Sequence, residues 1–208
     1  MSSYPVMLNL ANKKVLVVGG GSIAYRKISG LQDSGASIHV VAQSVDPSIE
    51  ALEQLGAVNV ERKAFESIDL AGAFLIIAAT DSIEVNEWIS KEAADHQLVN
   101  RADRAASGNT IIPSSIKRGK LTIAVSTEGA SPKLTKKIKQ EIAEKYDESY
   151  EAYIDFLHEV RGRVHHSNLS QETKKRLLEQ VLEEEYRTSP SKRQHFLYQL
   201  EFGFLQDE

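Results

Sequence analysis

Cysteine is absent from all 208 residues, which excludes disulfides, thiolate zinc sites, iron–sulfur ligation and cysteine nucleophiles and fits a reducing compartment. Long apolar runs are absent too. No stretch approaches the roughly 20 residues that cross a bilayer, and the start Met-Ser-Ser-Tyr-Pro-Val-Met-Leu lacks a basic region ahead of a long apolar one. The expectation is a cytoplasmic protein with no membrane partner. Nor is there an H-E-x-x-H pair, a nucleophile elbow, a phosphate-loop lysine motif or a base-stacking aromatic platform. His165 and His166 are adjacent and point in different directions on any regular element, so no metal site is expected.

Charge of one sign is also lacking overall. The net charge of −4 gives no case for a nucleic-acid partner, but the charges are unevenly placed. Residues 101–139 carry nine Lys or Arg against Asp103 and Glu128, whereas residues 141–208 carry fifteen acids against nine bases. A basic middle beside an acidic tail suits an anionic ligand or simply two solvated faces.

Regular alternation is what the sequence does have. Lys14 to Gly19 is a continuous apolar run, as in a strand buried on both faces of a parallel sheet. Ser22 to Ser34 then reads as a helix, with Gly35 where its C-cap belongs. Strands follow at Ser37–Ala42, Asn59–Arg62, Ala73–Ala79 and Leu98–Asn100, with helices at Ile49–Leu55 and Ile83–His96 between them, and Asp81 is positioned to cap the second. The expected fold class is α/β, with an N-terminal Rossmann domain on a parallel sheet over residues 1–112. Short strands at Ile111–Pro113 and Leu121–Thr127, and a helix capped by Ser131 with Pro132 at its first position, form a small α+β unit over 113–146. Helices at Tyr150–His158 and Gln171–Tyr186, the latter capped by Ser170, make a helical unit over 147–208.

The turn Gly19-Gly20-Gly21-Ser22-Ile23-Ala24 is G-x-G-x-x-A between a buried strand and a helix, the context that gives this motif meaning. Gly19 allows the tight turn, Gly21 lets backbone approach a pyrophosphate, and Ala24 allows close helix-to-strand packing. The acidic residue usual after the second strand is missing, so a ribose contact must come from Gln43, Ser44 or backbone. With no arginine there to hold a 2′-phosphate, NAD is expected over NADP. Thr80, at the end of the fourth strand, borders the nicotinamide side. Asp103 follows the last strand of this domain, between Arg101 and Arg104. On the residues alone it reads first as an ion pair, ionised at neutral pH because arginines lower its pKa, and second as a group that moves protons.

The segments Pro5-Val6-Met7-Leu8-Asn9-Leu10, V-L-V-V-G-G-G-S-I-A-Y-R-K, I-A-A-T-D, V-N-R-A-D, I-I-P-S-S-I-K-R-G and L-T-I-A-V-S-T-E-G-A-S-P occur in this order. Together they resemble the precorrin-2 dehydrogenase family over about residues 4–145. This family includes stand-alone dehydrogenases, bifunctional dehydrogenase–ferrochelatases and the N-terminal module of sirohaem synthase. The resemblance implies a homodimer built from a Rossmann domain, a dimerisation unit and helices completing a porphyrinoid cleft. It also implies NAD-dependent oxidation of precorrin-2 to sirohydrochlorin, towards sirohaem or cobalamin. The family's catalytic aspartate falls on Asp103, and its cofactor contacts fall on Gly21, Ser22, Ile23, Gln43 and Ser44. Precorrin-2 bears eight carboxylate arms, so Arg101, Arg104, Lys117, Arg118 and Lys133 become candidate substrate contacts.

The chain departs from the family around Asp103. Relatives read D-x-P, then a cysteine and an aromatic residue, where this chain has Asp103-Arg104-Ala105 and then Gly108 and Thr110. Those changes put metal insertion in question and leave dehydrogenation expected. Two other readings compete: a bifunctional enzyme that also inserts ferrous or cobaltous ion, and a nucleotide-sensing Rossmann module without turnover.

Overall fold

A computed structural model of the chain describes residues 3–104 and 107–202. The polypeptide divides into two compact units, one running through Ile112 with Thr127–Ser131, the other comprising Pro113–Ser126 and the chain from Pro132 onward.

The first unit is a Rossmann-like α/β domain. Its strands β1 (Lys14–Val18), β2 (Ser37–Ala42), β3 (Asn59–Arg62), β4 (Leu75–Ala78) and β5 (Leu98–Arg101) form one parallel sheet in the order β3-β2-β1-β4-β5. Helices α1 (Ser22–Ser29), α2 (Pro47–Gln54) and α3 (Ile83–Glu92) connect them. The apolar run in β1 divides by parity: Val15 and Val17 join the core that holds Ala24, Ile28 and Ile49, while Leu16 and Val18 join the one that holds Ile89. None of the four is more than 2% exposed. A strand covered on both faces must be apolar at every position, which is why the run does not alternate. Because α1 and α2 pack on one face and α3 on the other, the connection reverses between β1 and β4. Their carboxyl ends flank the crevice where open α/β sheets place ligands.

Several element ends differ from expectation. The first helix stops at Ser29, gives way to a 3₁₀ turn at Gln32–Ser34 and ends on Gly35 in the left-handed region (φ 70°). The second helix starts earlier, at Pro47, because Asp46 caps it through the Ser48 N–H (2.9 Å). Ser82 caps α3, accepting from the Val85 N–H (3.2 Å), and Asp81 stays exposed. Ile111–Pro113 is not a strand.

In the second unit, β6 (Ser114–Arg118) and β7 (Leu121–Val125) form an antiparallel hairpin, followed by α4 (Pro132–Lys145), α5 (Ser149–His166), α6 (Gln171–Gln180), α7 (Glu184–Thr188) and α8 (Pro190–Phe202). The hairpin and the later helices share this compact unit. The physical ties are the Arg118 Nε hydrogen bond to the Tyr146 carbonyl (3.2 Å), the pair Arg118–Glu148 (3.3 Å) and the pair Lys120–Asp155. The helices pack on an aromatic centre in which Phe156 stacks on Tyr186 (5.9 Å, 13°) and Phe196 meets both edge-on. Helix α8 is a further element that the sequence did not reveal. Among the described residues no helix is long and apolar enough to cross a membrane.

Candidate functional site

Because the sheet is parallel, the carboxyl ends of β1, β2, β4 and β5 lie along one edge, and the loops leaving them carry most of the candidate residues. The ladder continues one residue past each strand: the Gly19 N–H donates to Val41 O (2.9 Å), Ala79 to Val18 O (2.8 Å) and Ala102 to Ala78 O (2.9 Å). Gly19, Gly21, Ser22 and Ile23 follow β1, Gln43 and Ser44 follow β2, Thr80 follows β4, and Asp103 with Arg104 follows β5. Lys117, Arg118 and Lys133 belong to the second unit.

The three glycines of the first loop have different reasons to be glycine. Gly19 adopts φ 121°, and a Cβ there would run into the Ala79 carbonyl. A Cβ on Gly20 would run into the Ser44 carbonyl and lie 2.9 Å from Val45 Cα; the Asp46 N–H donating to Gly20 O (2.7 Å) fixes that approach. Gly21 has ordinary φ (−85°) and nothing within 4 Å of its would-be Cβ. The protein therefore packs against Gly19 and Gly20 but leaves open space at Gly21, beside the start of α1. That helix has no side-chain cap and no acid in its first turn, so its first N–H groups are left for an incoming anion. This cradle fits the pyrophosphate of a dinucleotide. Ala24 is wholly buried against the sheet, while Ile23 is 42% exposed at the mouth of the turn.

Asp103 is held by Arg101. The guanidinium donates through Nε to Oδ1 (3.1 Å) and through Nη2 to Oδ2 (2.6 Å). Arg101 lies on β5 with its side chain 5% exposed; that of Asp103 is 20% exposed. The bidentate hydrogen bond holds the Asp103 carboxyl below the usual carboxylate range, outweighing partial burial, which acts the other way. Arg101 was a candidate substrate contact. Two of its donors are committed to Asp103 in a buried position, where it clamps that carboxylate. Arg118 is likewise committed, to Tyr146, to the Lys117 carbonyl (3.0 Å) and to Glu148. Arg104, Lys117 and Lys133 are exposed.

The sequence missed two asparagines that shape this edge. Asn86, 1% exposed on the core side of α3, grips Thr80: Oδ1 accepts from the Thr80 N–H (3.2 Å) and hydroxyl (2.8 Å), and Nδ2 donates to Thr80 O (3.0 Å). The signal available was a polar residue three positions before buried Ile89, on a face that should be apolar. Asn109 finishes the outer edge of β5, accepting from the Val99 N–H (2.7 Å) and donating to Gln97 O (2.8 Å) as a neighbouring strand would. With Asn100 Nδ2 donating to Thr110 O (2.9 Å), it closes the loop that carries Asp103. Gly108 belongs to this closure, since a Cβ there would strike the Val99 carbonyl; a larger residue at this position needs a different loop path. Ala105, another of the departures, lies outside the described residues.

Replacing Asn86 with alanine is expected to cost about 2 kcal/mol, because it strands the half-buried Thr80 N–H and carbonyl. This lowers Tm by roughly 4–8 °C and weakens dinucleotide binding through displacement of the Thr80 loop. A thermal melt with Tm unchanged would remove Asn86 from this role.

The chain is similar over nearly its whole length to proteins of one kind. Precorrin-2 dehydrogenase from Priestia megaterium is 43% identical over 198 residues, covering 95% of this chain and 98% of that protein. This chain belongs to the precorrin-2 dehydrogenase family. A second precorrin-2 dehydrogenase, from Bacillus subtilis, is 38% identical over 76% of this chain and 98% of its own length. The siroheme synthase of Actinobacillus pleuropneumoniae is 38% identical over 68% of this chain, which spans 29% of that longer protein. A solved structure titled "SirC, precorrin-2 dehydrogenase" superposes with a TM-score of 0.83 at 43% identity, covering 96% of this chain and 99% of that one. Residues 6–114 match the family "Putative NAD(P)-binding", residues 118–145 "Sirohaem biosynthesis protein central" and residues 150–196 "SirC C-terminal domain". The last match extends the likeness past residue 145, where sequence motifs alone stopped.

Proposed function

We propose that this chain is a cytoplasmic, NAD-dependent precorrin-2 dehydrogenase that acts as a homodimer and yields sirohydrochlorin. The observation that carries this reading is the ionised, clamped carboxylate of Asp103 on the same sheet edge as an open pyrophosphate cradle, in a chain that matches a precorrin-2 dehydrogenase over 95% of its length.

Dehydrogenation removes a hydride and a proton from the macrocycle. NAD supplies the hydride acceptor when bound. Gly21, Ser22 and Ile23 hold its pyrophosphate, Gln43 and Ser44 meet the adenosine ribose, and the Thr80 loop, fixed by Asn86, borders the nicotinamide end. Asp103 receives the proton. Arg101 keeps this carboxylate ionised and fixes its orientation, exchanging some basicity for a permanently available acceptor. Exposed cations, Arg104, Lys117 and Lys133 among them, are the proposed contacts for the carboxylate arms of the substrate. The homodimer is supported by the hairpin: β6 and β7 pair only with each other among the described residues, leaving strand edges that a second copy can cover.

Purified protein incubated anaerobically with precorrin-2 and NAD should develop sirohydrochlorin absorbance in step with NADH. Absence of NAD-dependent conversion overturns the dehydrogenase reading. A further change on adding ferrous or cobaltous ion, above the uncatalysed rate, would add chelation to it.

A further inference from the structure

Arg62 is the last residue of β3, and its register partner is Ala42, the last residue of β2. Gln43 comes next, at the place where a Rossmann unit meets the adenosine ribose. A cation therefore stands one strand away from where a 2′-phosphate would sit, although the loop after β2 contains none. The cation is turned away. Arg62 donates through Nη1 to Glu53 Oε1 (3.1 Å) and through Nη2 to Glu53 Oε2 (2.7 Å), with Glu50 at 3.9 Å, all on α2 over the same face of the sheet. The bidentate geometry matches a carboxylate as it would match a phosphate, so Glu53 occupies the donors that a 2′-phosphate would need.

We propose that Glu53 is a specificity-determining residue, which excludes NADP by holding Arg62 against α2. It also adds negative charge on the same side. This rests on the cofactor reading given above, and it explains discrimination against a 2′-phosphate without the usual ribose carboxylate. The pair is partly exposed, Arg62 by 46% and Glu53 by 31%, so the effect is of modest size. Neither residue contributes to the core or to the glycine turn.

The test is calorimetric titration of the full chain with 5′-AMP and adenosine 2′,5′-bisphosphate, and with NAD and NADP. The parent is expected to prefer the ligands lacking the 2′-phosphate. Glu53→Gln is expected to narrow that preference about fivefold, chiefly by tightening the 2′-phosphorylated ligands. Adding Arg62→Met to Glu53→Gln is expected to restore it. An unchanged preference in Glu53→Gln overturns the proposal, as does equal narrowing in the double variant, which would assign the effect to the lost carboxylate charge alone. A parent that binds neither NAD nor 5′-AMP fails at the cofactor reading itself, a result distinguishable from both.

Discussion

Asp103→Ala should lower kcat for precorrin-2 oxidation by roughly 100- to 10,000-fold while leaving NAD affinity unchanged. The separation of effects follows from placement. Asp103 lies beyond β5, the pyrophosphate cradle is built by the loop after β1, and among the described residues the side-chain hydrogen bonds to Asp103's carboxylate come from Arg101. Asp103→Asn sharpens the test, because an amide still accepts a hydrogen bond from Arg101 but takes no proton; it should be as inactive as the alanine variant. The pH profile gives an independent reading. The active form is the anion, and Arg101 holds the Asp103 carboxyl below its ordinary range, first through their hydrogen bonds and then through charge. kcat at saturating substrate should therefore stay level as pH falls through the ordinary carboxylate range and drop only below it. Arg101→Met removes the largest lowering cause and leaves partial burial, which raises the pKa, set against the backbone N–H groups of Asp103 and Arg104, so its acid limb should move upward. The stability linkage has the same sign: the pair stabilises the fold fully above the unfolded carboxyl's pKa, and this is lost as pH falls through the depressed folded one. Superimposable acid limbs in the parent and Arg101→Met would contradict the clamp.

Much of this site was legible before any coordinates, for definite reasons. The bounds of β2 and the glycine turn could be read because burial on both faces forces apolar runs and because a cradle for phosphate needs glycine, whereas the largely exposed β3 was legible only from the alternation of strands with helices. The residues around Asp103 were harder. Flanking arginines fit both a surface ion pair and a clamp, and only the burial of Arg101 on β5 decides between them. Asn86 and Asn109 act through side chains that imitate backbone partners, which leaves no pattern in one sequence beyond a polar residue in an apolar place. Asp81 and Ser82 are both good caps, and the backbone path after β4 selects the second. Helix α8 escaped because its apolar residues lie all round it: Phe196 and Leu200 are buried, whereas Tyr198 and Phe202 are more than half exposed. The union of hairpin and helices into one unit depends on Lys120 meeting Asp155 and Arg118 meeting Tyr146, pairings that cross the loops between elements.

The glycine turn itself yields the sharpest contrast in expected behaviour. Gly21→Asp should fold with unchanged Tm yet lose roughly 100-fold or more in NAD affinity, because its side chain enters space that the protein leaves open and places an anion beside the pyrophosphate. Two like charges about 4 Å apart near a protein surface repel by about 4 kcal/mol, which is more than a hundredfold in binding. Gly20→Ala should do the reverse in the free protein. Its Cβ meets the Ser44 carbonyl and Val45 Cα, backbone atoms that cannot move without shifting the loop after β2. A cost of about 1–3 kcal/mol follows, seen as a Tm lower by roughly 3–10 °C, with weaker binding only as a consequence. Thermal melts and NAD titrations on the two variants, run side by side, separate a glycine kept for the ligand from one kept for the fold. If Gly21→Asp melts as low as Gly20→Ala, the space at Gly21 is not open in solution, and the cradle assigned to the pyrophosphate is closed by the protein itself.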